Sequence, residues 1–204
     1  MFPLGTVLFP HTLLPLHIFE PRYRALARDC LAADLQFGVV LIERGSEVGG
    51  GDTRFDAGTV ATIVEAHEIP DGRWFIVAEG GARFRVVRWL PDDPYPLAEI
   101  EEIGEAEAGD AAGLEPLRDR AVLLLQQVAA LRSELGEHVG SIEVHVSEDP
   151  VRASHELVAL APVGPLDAQQ LLVAPSAEAR YRRLLDLLAD EREILQERLS
   201  ESPD

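Results

Sequence analysis

The stretch of residues 2–31, FPLGTVLFPHTLLPLHIFEPRYRALARDCL, constrains the fold more than any other part of the chain. Its first part contains four prolines, which are Pro3, Pro10, Pro15 and Pro21. Because proline lacks an amide donor and biases the preceding residue towards extended geometry, the chain before Pro21 cannot be helical. Residues 6–9 and 13–18 are therefore predicted to form short strands joined by turns.

The hydrophobic period changes after Pro21, a residue type that suits the first turn of a helix. Apolar side chains then recur at the spacing of one helical face, at Tyr23, Leu26, Ala27, Cys30 and Leu31. We predict a helix over about residues 20–33. Cys30 is the single cysteine, so an intramolecular disulfide is excluded, and its place on the apolar face predicts a core residue rather than a reactive thiol.

Five further strands are predicted from β-branched or alternating runs, over residues 37–43, 58–69, 73–79, 82–90 and 97–103. Pro70-Asp71-Gly72 predicts a tight turn, and Gly80-Gly81 predicts a break between two strands. Residues 44–57 carry several glycines and predict a mobile loop. Short strands at this spacing indicate a closed or partly closed barrel.

The period becomes helical after a small, acidic segment at residues 105–113. A long helix is predicted from Leu114 to Leu135, another over 150–161, a short one capped by Asp167, and a last one capped by Ser176. Residues 139–146 are ambiguous between strand and loop. The prediction is an α+β protein with a β-rich part at 1–104 and an α-helical part at 105–204.

The opening FPLGTVLFP and the following LPLHIFEPRYR closely resemble the start of the Lon protease N-terminal, substrate-binding domain family. FGVVL at 37–41 and GGARFRV at 80–86 resemble its later strands. This resemblance implies an N-terminal PUA-like β-barrel followed by a C-terminal helical bundle. His11 stands where the family often carries glycine, which leaves the shape of that turn in question.

The resemblance also implies a function. Full-length Lon proteases carry an ATPase module and a peptidase module after this domain, and neither is recognisable here, so a free-standing version is expected. Its partner would be polypeptide, either an unfolded segment or a specific protein. The chain would then act as an adaptor or scaffold for proteolysis or protein quality control.

All eighteen cationic side chains are arginines, because the sequence contains no lysine. A P-loop requires a lysine on the phosphates, and a Ser-Lys peptidase requires one as general base. Neither activity can therefore reside in this chain. We predict an ATP-independent, non-enzymatic protein without a cofactor.

The formal charge of -18 is unevenly distributed, with a net of -2 over residues 1–90 and -16 over 91–204. Such an acidic second half repels phosphate backbones and anionic lipid and favours basic partners. No apolar run is long enough to span a bilayer, and the opening lacks the basic leader of a secretory signal. The sequence predicts a cytoplasmic protein.

The apolar opening is the main binding candidate. Its peptide-binding candidates are Phe9, Pro10, Leu13, Leu14 and Leu16. If some of these side chains are exposed beside a sheet edge, they are suited to an extended apolar peptide that adds as a strand. The alternative is that all five belong to the core.

A second group of candidates is polar. Glu20 lies between the strand and the helix, and we predict that it forms an ion pair with Arg22 or Arg83 or caps backbone amides. The alternative is an exposed carboxylate at a helix N-terminus. A small-molecule site or enzyme that uses His17, Glu20 and Arg83 requires a deep polar pocket where the three converge.

The remaining alternative is RNA binding. Arg83, Arg85 and Arg88 with Trp74 and Trp89 suggest a basic-aromatic strip, and PUA-like barrels occur in RNA-binding proteins. The charge of -18 disfavours this interpretation. The six histidines show no i, i+4 helical pair and no cysteine cluster, so no metal site is predicted.

Overall fold

The computed structural model describes residues 1–45, 51–105, 113–137 and 144–201. The chain divides into two compact units, Met1–Gly104 and Glu105–Asp204. The strands of the described residues lie in the first unit, together with one helix, and the second unit is helical. The predicted α+β class is confirmed.

The described part of the first unit contains six strands and one helix: β1 (Phe2–Leu4), β2 (Leu13–Ile18), α1 (Pro21–Ala32), β3 (Gln36–Arg44), β4 (Thr53–Glu68), β5 (Trp74–Leu90) and β6 (Leu97–Glu102). The strands form one sheet in the order β1-β3-β4-β5-β2, and β6 also pairs with β5. β1 and β3 are parallel, and the other pairs are antiparallel.

The sheet curls into a half-barrel. Its two end strands meet in one hydrophobic core, to which β1 contributes Phe2 and Leu4 and β2 contributes Leu14 and Ile18. Helix α1 adds the buried face that its period predicts, consisting of Tyr23, Leu26, Ala27 and Cys30. Buried thiols behave as small apolar groups, and Cys30 Sγ lies 3.1 Å from the carbonyl oxygen of Gln36.

The predicted strand at residues 6–9 is wrong, because the first strand is β1. Phe2 and Leu4 pair with Val39 and Leu41, a parallel partnership that local sequence does not reveal. Residues 6–9 are irregular, and the Leu8 carbonyl accepts a hydrogen bond of 2.6 Å from the Thr59 hydroxyl. The chain then turns at residues 10–12.

His11 has a φ of 65°, in the left-handed region that glycine adopts without strain. Its amide donates to the carbonyl oxygen of Gly80 at 2.7 Å, and the Gly80 amide donates to Thr12 at 2.9 Å. The turn that precedes β2 is thus tied to β5. His11, at the position where the family often carries glycine, therefore adopts a backbone conformation that glycine prefers.

The break predicted at Gly80-Gly81 is also wrong, since β5 continues through it. Gly80 instead allows the backbone of Phe9 to lie close to β5, because a Cβ atom on Gly80 would lie 2.1 Å from the carbonyl oxygen of Phe9. β5 changes partners at this point. Residues Trp74 to Glu79 pair with β2, and residues Phe84 to Leu90 pair with β6.

The turn predicted at Pro70-Asp71-Gly72 is present between β4 and β5. The Gly72 amide donates to the carbonyl oxygen of Ile69 at 2.8 Å, and Gly72 has a φ of 80°. The loop predicted over 44–57 is shorter, because β3 extends to Arg44 and β4 begins at Thr53. Residues 46–50 of that prediction lie outside the described residues.

The described part of the second unit contains four helices: α2 (Glu115–Glu134), α3 (Pro150–Leu160), α4 (Pro165–Leu172) and α5 (Ala177–Glu201). The Ser176 hydroxyl accepts a hydrogen bond from the Ala179 amide at 3.2 Å, in the predicted capping position. The capping role predicted for Asp167 is wrong, since Gly164 is the N-cap of α4 and Asp167 lies in its first turn.

The ambiguous segment at 139–146 is only partly described. Residues 144–146 are neither helix nor strand, and 139–143 lie outside the described residues, as does His138. No helix within the described ranges combines the length and apolar character needed to cross a bilayer.

A buried arginine organises the second unit. Arg180 of α5 is fully buried and donates to the Ser154 hydroxyl at 2.6 Å and to the Leu171 carbonyl oxygen at 3.2 Å. Its Nη2 atom lies 2.5 Å from Glu105 Oε1, and His155 Nε2 lies 3.0 Å from the same oxygen. This network links α3, α4 and α5, and the helical period alone did not indicate it.

Candidate functional site

The apolar segment at residues 9–16 is divided between core and surface. Phe9 and Leu14 are 2% and 9% exposed, and Pro10 is also buried. Leu13 is 66% exposed and Leu16 is half-buried. Of the five candidates, Leu13 and Leu16 are the ones accessible to a partner in this structure.

A cleft of about 300 Å³ lies between the two ends of the curled sheet, and we call it the edge cleft. β1 lines it with Phe2 and Leu4, and β2 lines it with residues Leu14 to Ile18. Phe19, which is 47% exposed, and Tyr23 also line it. Among the described strands, β2 pairs with β5 on one side and with none on the other, so its outer edge is unpaired.

A second cavity of about 330 Å³, which we call the outer pocket, lies against the same strand. It shares Pro15, Leu16 and His17 with the edge cleft. β4 and β5 supply the rest of its lining, which consists of Glu65, His67, Phe75, Ile76 and Val77. Strand β2 therefore has a cavity on each side.

The strand register explains which side chains meet on this surface. Cross-strand partners point to the same face of a sheet, and three rows run from β2 over β5 to β4. These rows are Leu13–Glu79–Thr62, Pro15–Val77–Glu65 and His17–Phe75–His67. Phe75 is 51% exposed, and the His17 ring stacks on it with centroids 4.7 Å apart.

The electrostatic character of this face is acidic. Glu65 and Glu79 are exposed, and within the described residues neither forms an ion pair. No arginine lines either of the two cavities. The face thus combines apolar and aromatic surface with unpaired carboxylates.

Glu20 lies at the end of the edge cleft. Its Oε2 atom is 3.3 Å from Nε of Arg22, and both side chains are largely buried, at 16% and 17% exposure. Its side chain caps no amide of α1. Arg22, one of the two predicted partners, thus lies beside Glu20, and Arg83 donates to the Gly104 carbonyl oxygen at 3.2 Å.

Aromatic stacking forms the floor of the edge cleft. The rings of Phe2 and Tyr23 lie 4.3 Å apart, and the Arg22 guanidinium sits 4.4 Å from the Tyr23 ring centroid. Burial raises the pKa of Tyr23 to about 12. The raised pKa reflects the shielding of this ring from water, and Phe2, Leu4 and the Tyr23 ring together make the floor largely apolar.

The basic-aromatic strip predicted for RNA is largely neutralised by carboxylates. Arg83 is buried, Arg85 lies 3.6 Å from Glu101, and Arg88 pairs with Glu99. The Trp89 indole donates to Asp56 at 2.8 Å. Arginines engaged in this way offer little free charge to a phosphate backbone.

The polar pocket required by the small-molecule alternative does not form from the three predicted residues. His17 and Glu20 line the edge cleft, whereas Arg83 lines neither cavity. Within the described ranges, no group of three or more His, Cys, Asp or Glu side chains is placed to hold a metal ion.

Sequence reasoning missed most of the lining of the two cavities, and four of the missed residues are Phe19, Glu65, His67 and Phe75. Three of them lie about fifty or more positions after β2 and reach it only through strand pairing. The available signal was that Phe75 shares one face of its predicted strand with Glu79, which places an aromatic residue on a partly polar face.

A half-barrel with an unpaired, apolar strand edge, followed by a helical unit, defines a small α+β protein with an accessible apolar cleft. A family model of the ATP-dependent protease La (LON) substrate-binding domain matches residues 1–190. The chain belongs to this family, and the resemblance noted in the sequence is confirmed.

Curated relatives support the same assignment. The Lon protease of Anaeromyxobacter dehalogenans is 28% identical over 192 residues, covering 94% of this chain and 23% of that protein. Lon protease 2 of Sorangium cellulosum is 29% identical over 197 residues, covering 94% of this chain and 24% of that protein. The chain thus spans about a quarter of the length of these curated relatives.

Two solved structures are similar in fold. The crystal structure of a Lon N-terminal domain protein from Xanthomonas campestris has a TM-score of 0.58 and 26% identity, covering 92% of this chain and 95% of that one. The N-terminal domain of a Mycobacterium avium complex Lon protease has a TM-score of 0.62, 20% identity and coverages of 92% and 97%. The second likeness is one of fold alone.

Proposed function

We propose that this chain binds extended polypeptide segments at the unpaired edge of β2. The observation that carries the proposal is a strand with an unpaired edge and a cavity on each side. Main-chain hydrogen bonds to such an edge provide affinity, and pockets for alternate side chains provide specificity. Membership in the substrate-binding domain family supports the same role.

An added strand would place every second side chain towards the edge cleft, where Phe2, Leu4 and Tyr23 form an apolar floor. The cleft volume of about 300 Å³ suits a few apolar side chains rather than a folded surface. The client would therefore be an unfolded or extended segment. In this role the chain acts as an adaptor or scaffold for proteolysis or protein quality control, without chemistry of its own.

The test measures binding of a labelled, permanently unfolded polypeptide by fluorescence anisotropy, with Phe19→Asp as the main variant. Phe19 lines the edge cleft and is 47% exposed, so the substitution places a charge in the cleft without disturbing the core. We expect affinity to fall about tenfold or more, since an aromatic contact is lost and a carboxylate must be desolvated.

Leu166→Asp is the matched control. Leu166 is 62% exposed on α4, and its substitution makes the same change in net charge on the helical unit. We expect it to bind like the unmodified chain. Equal affinities for both variants, or recovery of RNA instead of protein from native extract, would refute the proposal.

A further inference from the structure

We infer that the outer pocket is a subsite for a cationic side chain, so that the bound segment alternates apolar residues with arginine or lysine. This inference rests on the proposed function and specifies its partner. It follows from the lining of the outer pocket, its charge, and the period of an added strand.

The lining of the outer pocket matches the chemistry of a long cationic side chain. Phe75 is half-exposed, and its ring, with that of His17 stacked beside it, offers an aromatic surface. Guanidinium and ammonium groups are attracted to aromatic faces. Pro15 and Val77 add apolar surface for the methylene stem.

The charge of the pocket points to the same ligand. Glu65 lines it and has no ion-pair partner among the residues that the structure describes. Glu79, opposite Leu13 on the same face, adds a second carboxylate that forms no ion pair within the described ranges. A cation in the pocket forms a charge-assisted hydrogen bond with Glu65, whereas an anionic side chain is repelled by it and an apolar side chain gains nothing from it.

Strand geometry then fixes the spacing. A segment added to the edge of β2 lies about 4.8 Å from β2, and its successive side chains point to opposite faces. The residues that face the edge cleft meet apolar surface, and the residues between them face the side of Leu13, Pro15 and His17. Phe75 lies on β5, one strand beyond β2, and Glu65 lies on β4, two strands beyond it. Only a long side chain that extends across the row of Pro15 and Val77 passes Phe75 and approaches the Glu65 carboxylate.

The experiment compares short synthetic peptides by fluorescence anisotropy at physiological salt. One peptide alternates leucine with arginine, a second alternates leucine with serine, and a third has the composition of the first in two blocks. We expect the leucine–arginine peptide to bind about three- to tenfold tighter than the leucine–serine peptide, from one cation–π contact and one ion pair. The block peptide should bind more weakly than both.

Glu65→Gln should abolish the preference for arginine over serine, because it removes the carboxylate of the pocket. Glu193→Gln is the control, since Glu193 is an exposed residue of α5 and the substitution makes the same change in net charge. Unchanged melting temperatures would show that both variants are folded.

The outcomes separate the two proposals. If the leucine–serine peptide binds at the Phe19-dependent site as tightly as the leucine–arginine peptide, the cationic subsite is refuted and the proposed function stands. A preference that survives Glu65→Gln, or that Glu193→Gln abolishes equally, also refutes the subsite. If no alternating peptide binds saturably, or Phe19→Asp leaves binding unchanged, the proposed function itself fails.

Discussion

Glu20 and Arg22 illustrate how a single buried pair shapes the end of the edge cleft. Their atoms lie 3.3 Å apart, and both side chains are mostly shielded from water. A shielded carboxylate loses much of its hydration, so its neighbour must compensate for that loss. The Arg22 guanidinium in turn covers the ring of Tyr23, so the pair also positions the floor of the cleft.

Glu20→Gln should therefore lower the free energy of unfolding by about 1–3 kcal/mol, because it leaves a shielded guanidinium without its countercharge. Urea denaturation measures this change. Glu178→Gln is the control, since Glu178 and Arg182 form an exposed i, i+4 pair whose loss should cost about 0.5 kcal/mol or less. Equal stability of Glu20→Gln and the unmodified chain would mean that Glu20 acts only as a carboxylate at a helix N-terminus.

Gly80→Ala should destabilise the first unit by about 1–3 kcal/mol, the usual cost of inserting a methyl group into closely packed structure. The new Cβ atom would lie 2.1 Å from the carbonyl oxygen of Phe9, so the turn before β2 must move away from β5. Thermal unfolding followed by circular dichroism measures the effect.

The neighbouring Gly81→Ala is the matched control, because its Cβ atom would lie 3.3 Å from the Val60 carbonyl oxygen. Gly81→Ala should cost clearly less than Gly80→Ala. If the two variants were equally stable, the close approach of the 9–12 turn to β5 would be contradicted.

Strand β2 combines the properties that a binding edge requires. Pro15 stands in its middle and lacks an amide donor, so a strand that adds here must bond to the other backbone groups of the edge. Its side chains alternate, so that Leu14 and Ile18 enter the core while Leu13 and His17 are exposed. The strand is thereby anchored in the first unit and still accessible along one edge.

Helices α3, α4 and α5 depend in a similar way on one side chain. Arg180 donates to groups from α3 and α4 and to Glu105. We expect Arg180→Met to destabilise the second unit by about 3–5 kcal/mol, because it leaves buried acceptors and part of a buried ion pair without a partner.

Urea unfolding monitored by helical circular dichroism tests this expectation. Arg183→Met is the control, since Arg183 is half-exposed and pairs with Asp167 at 2.9 Å, an interaction expected to contribute about 1 kcal/mol or less. Similar effects of the two substitutions would show that the network does not hold the helices together.

The composition of the whole molecule makes its alkaline behaviour unusually simple. It contains three tyrosines, one cysteine and no lysine, and its arginines remain charged throughout the accessible range. Burial raises the pKa of all three tyrosines, to about 12 for Tyr23 and Tyr95, and upward for Tyr181 as well. For Tyr95, a hydrogen bond of 2.7 Å to Asp29 adds to the effect of burial.

We therefore expect stability to decrease above pH 10. In the unfolded chain tyrosine loses its proton near pH 10, whereas the folded chain retains it towards pH 12, so the folded state binds more protons in this window. The free energy of unfolding then falls by up to about 1.4 kcal/mol per pH unit for a buried tyrosine such as Tyr23, and by less for Tyr95, whose hydroxyl is screened by solvent.

Urea titrations at successive pH values, read together with tyrosinate absorbance, measure this loss. Cys30→Ala is the control, because burial also raises the pKa of the Cys30 thiol and its ionisation contributes in the same direction. Ionisation of all three tyrosines near pH 10 without loss of structure would contradict their burial.

Much of the fold was predictable because its signals are local. Pro21 with the period of Tyr23, Leu26 and Cys30 predicted α1, and the prolines before Pro21, which favour extended geometry, predicted β2. The errors have a common cause. Gly80 was interpreted as a break because its actual role, contact with Phe9, depends on a segment some seventy residues earlier in the chain.

The candidate site was predictable only in part. The apolar residues at 9–16 were evident from the sequence. In the structure Phe9 is buried and Leu13 is exposed, and this difference depends on the neighbouring strands. Glu65 and Phe75 were not predicted as site residues, because they meet β2 only through the register of β4 and β5.

Proline positions, hydrophobic period and composition are properties of the chain alone. They were sufficient to specify the helices, most strands, the family and the absence of lysine chemistry. The parallel pairing of β1 with β3, the unpaired edge of β2 and the two cavities beside it depend on strands distant in sequence. The spacing of apolar side chains indicates which face of a helix or strand is apolar. Only the folded chain determines whether another element covers that face or leaves it exposed.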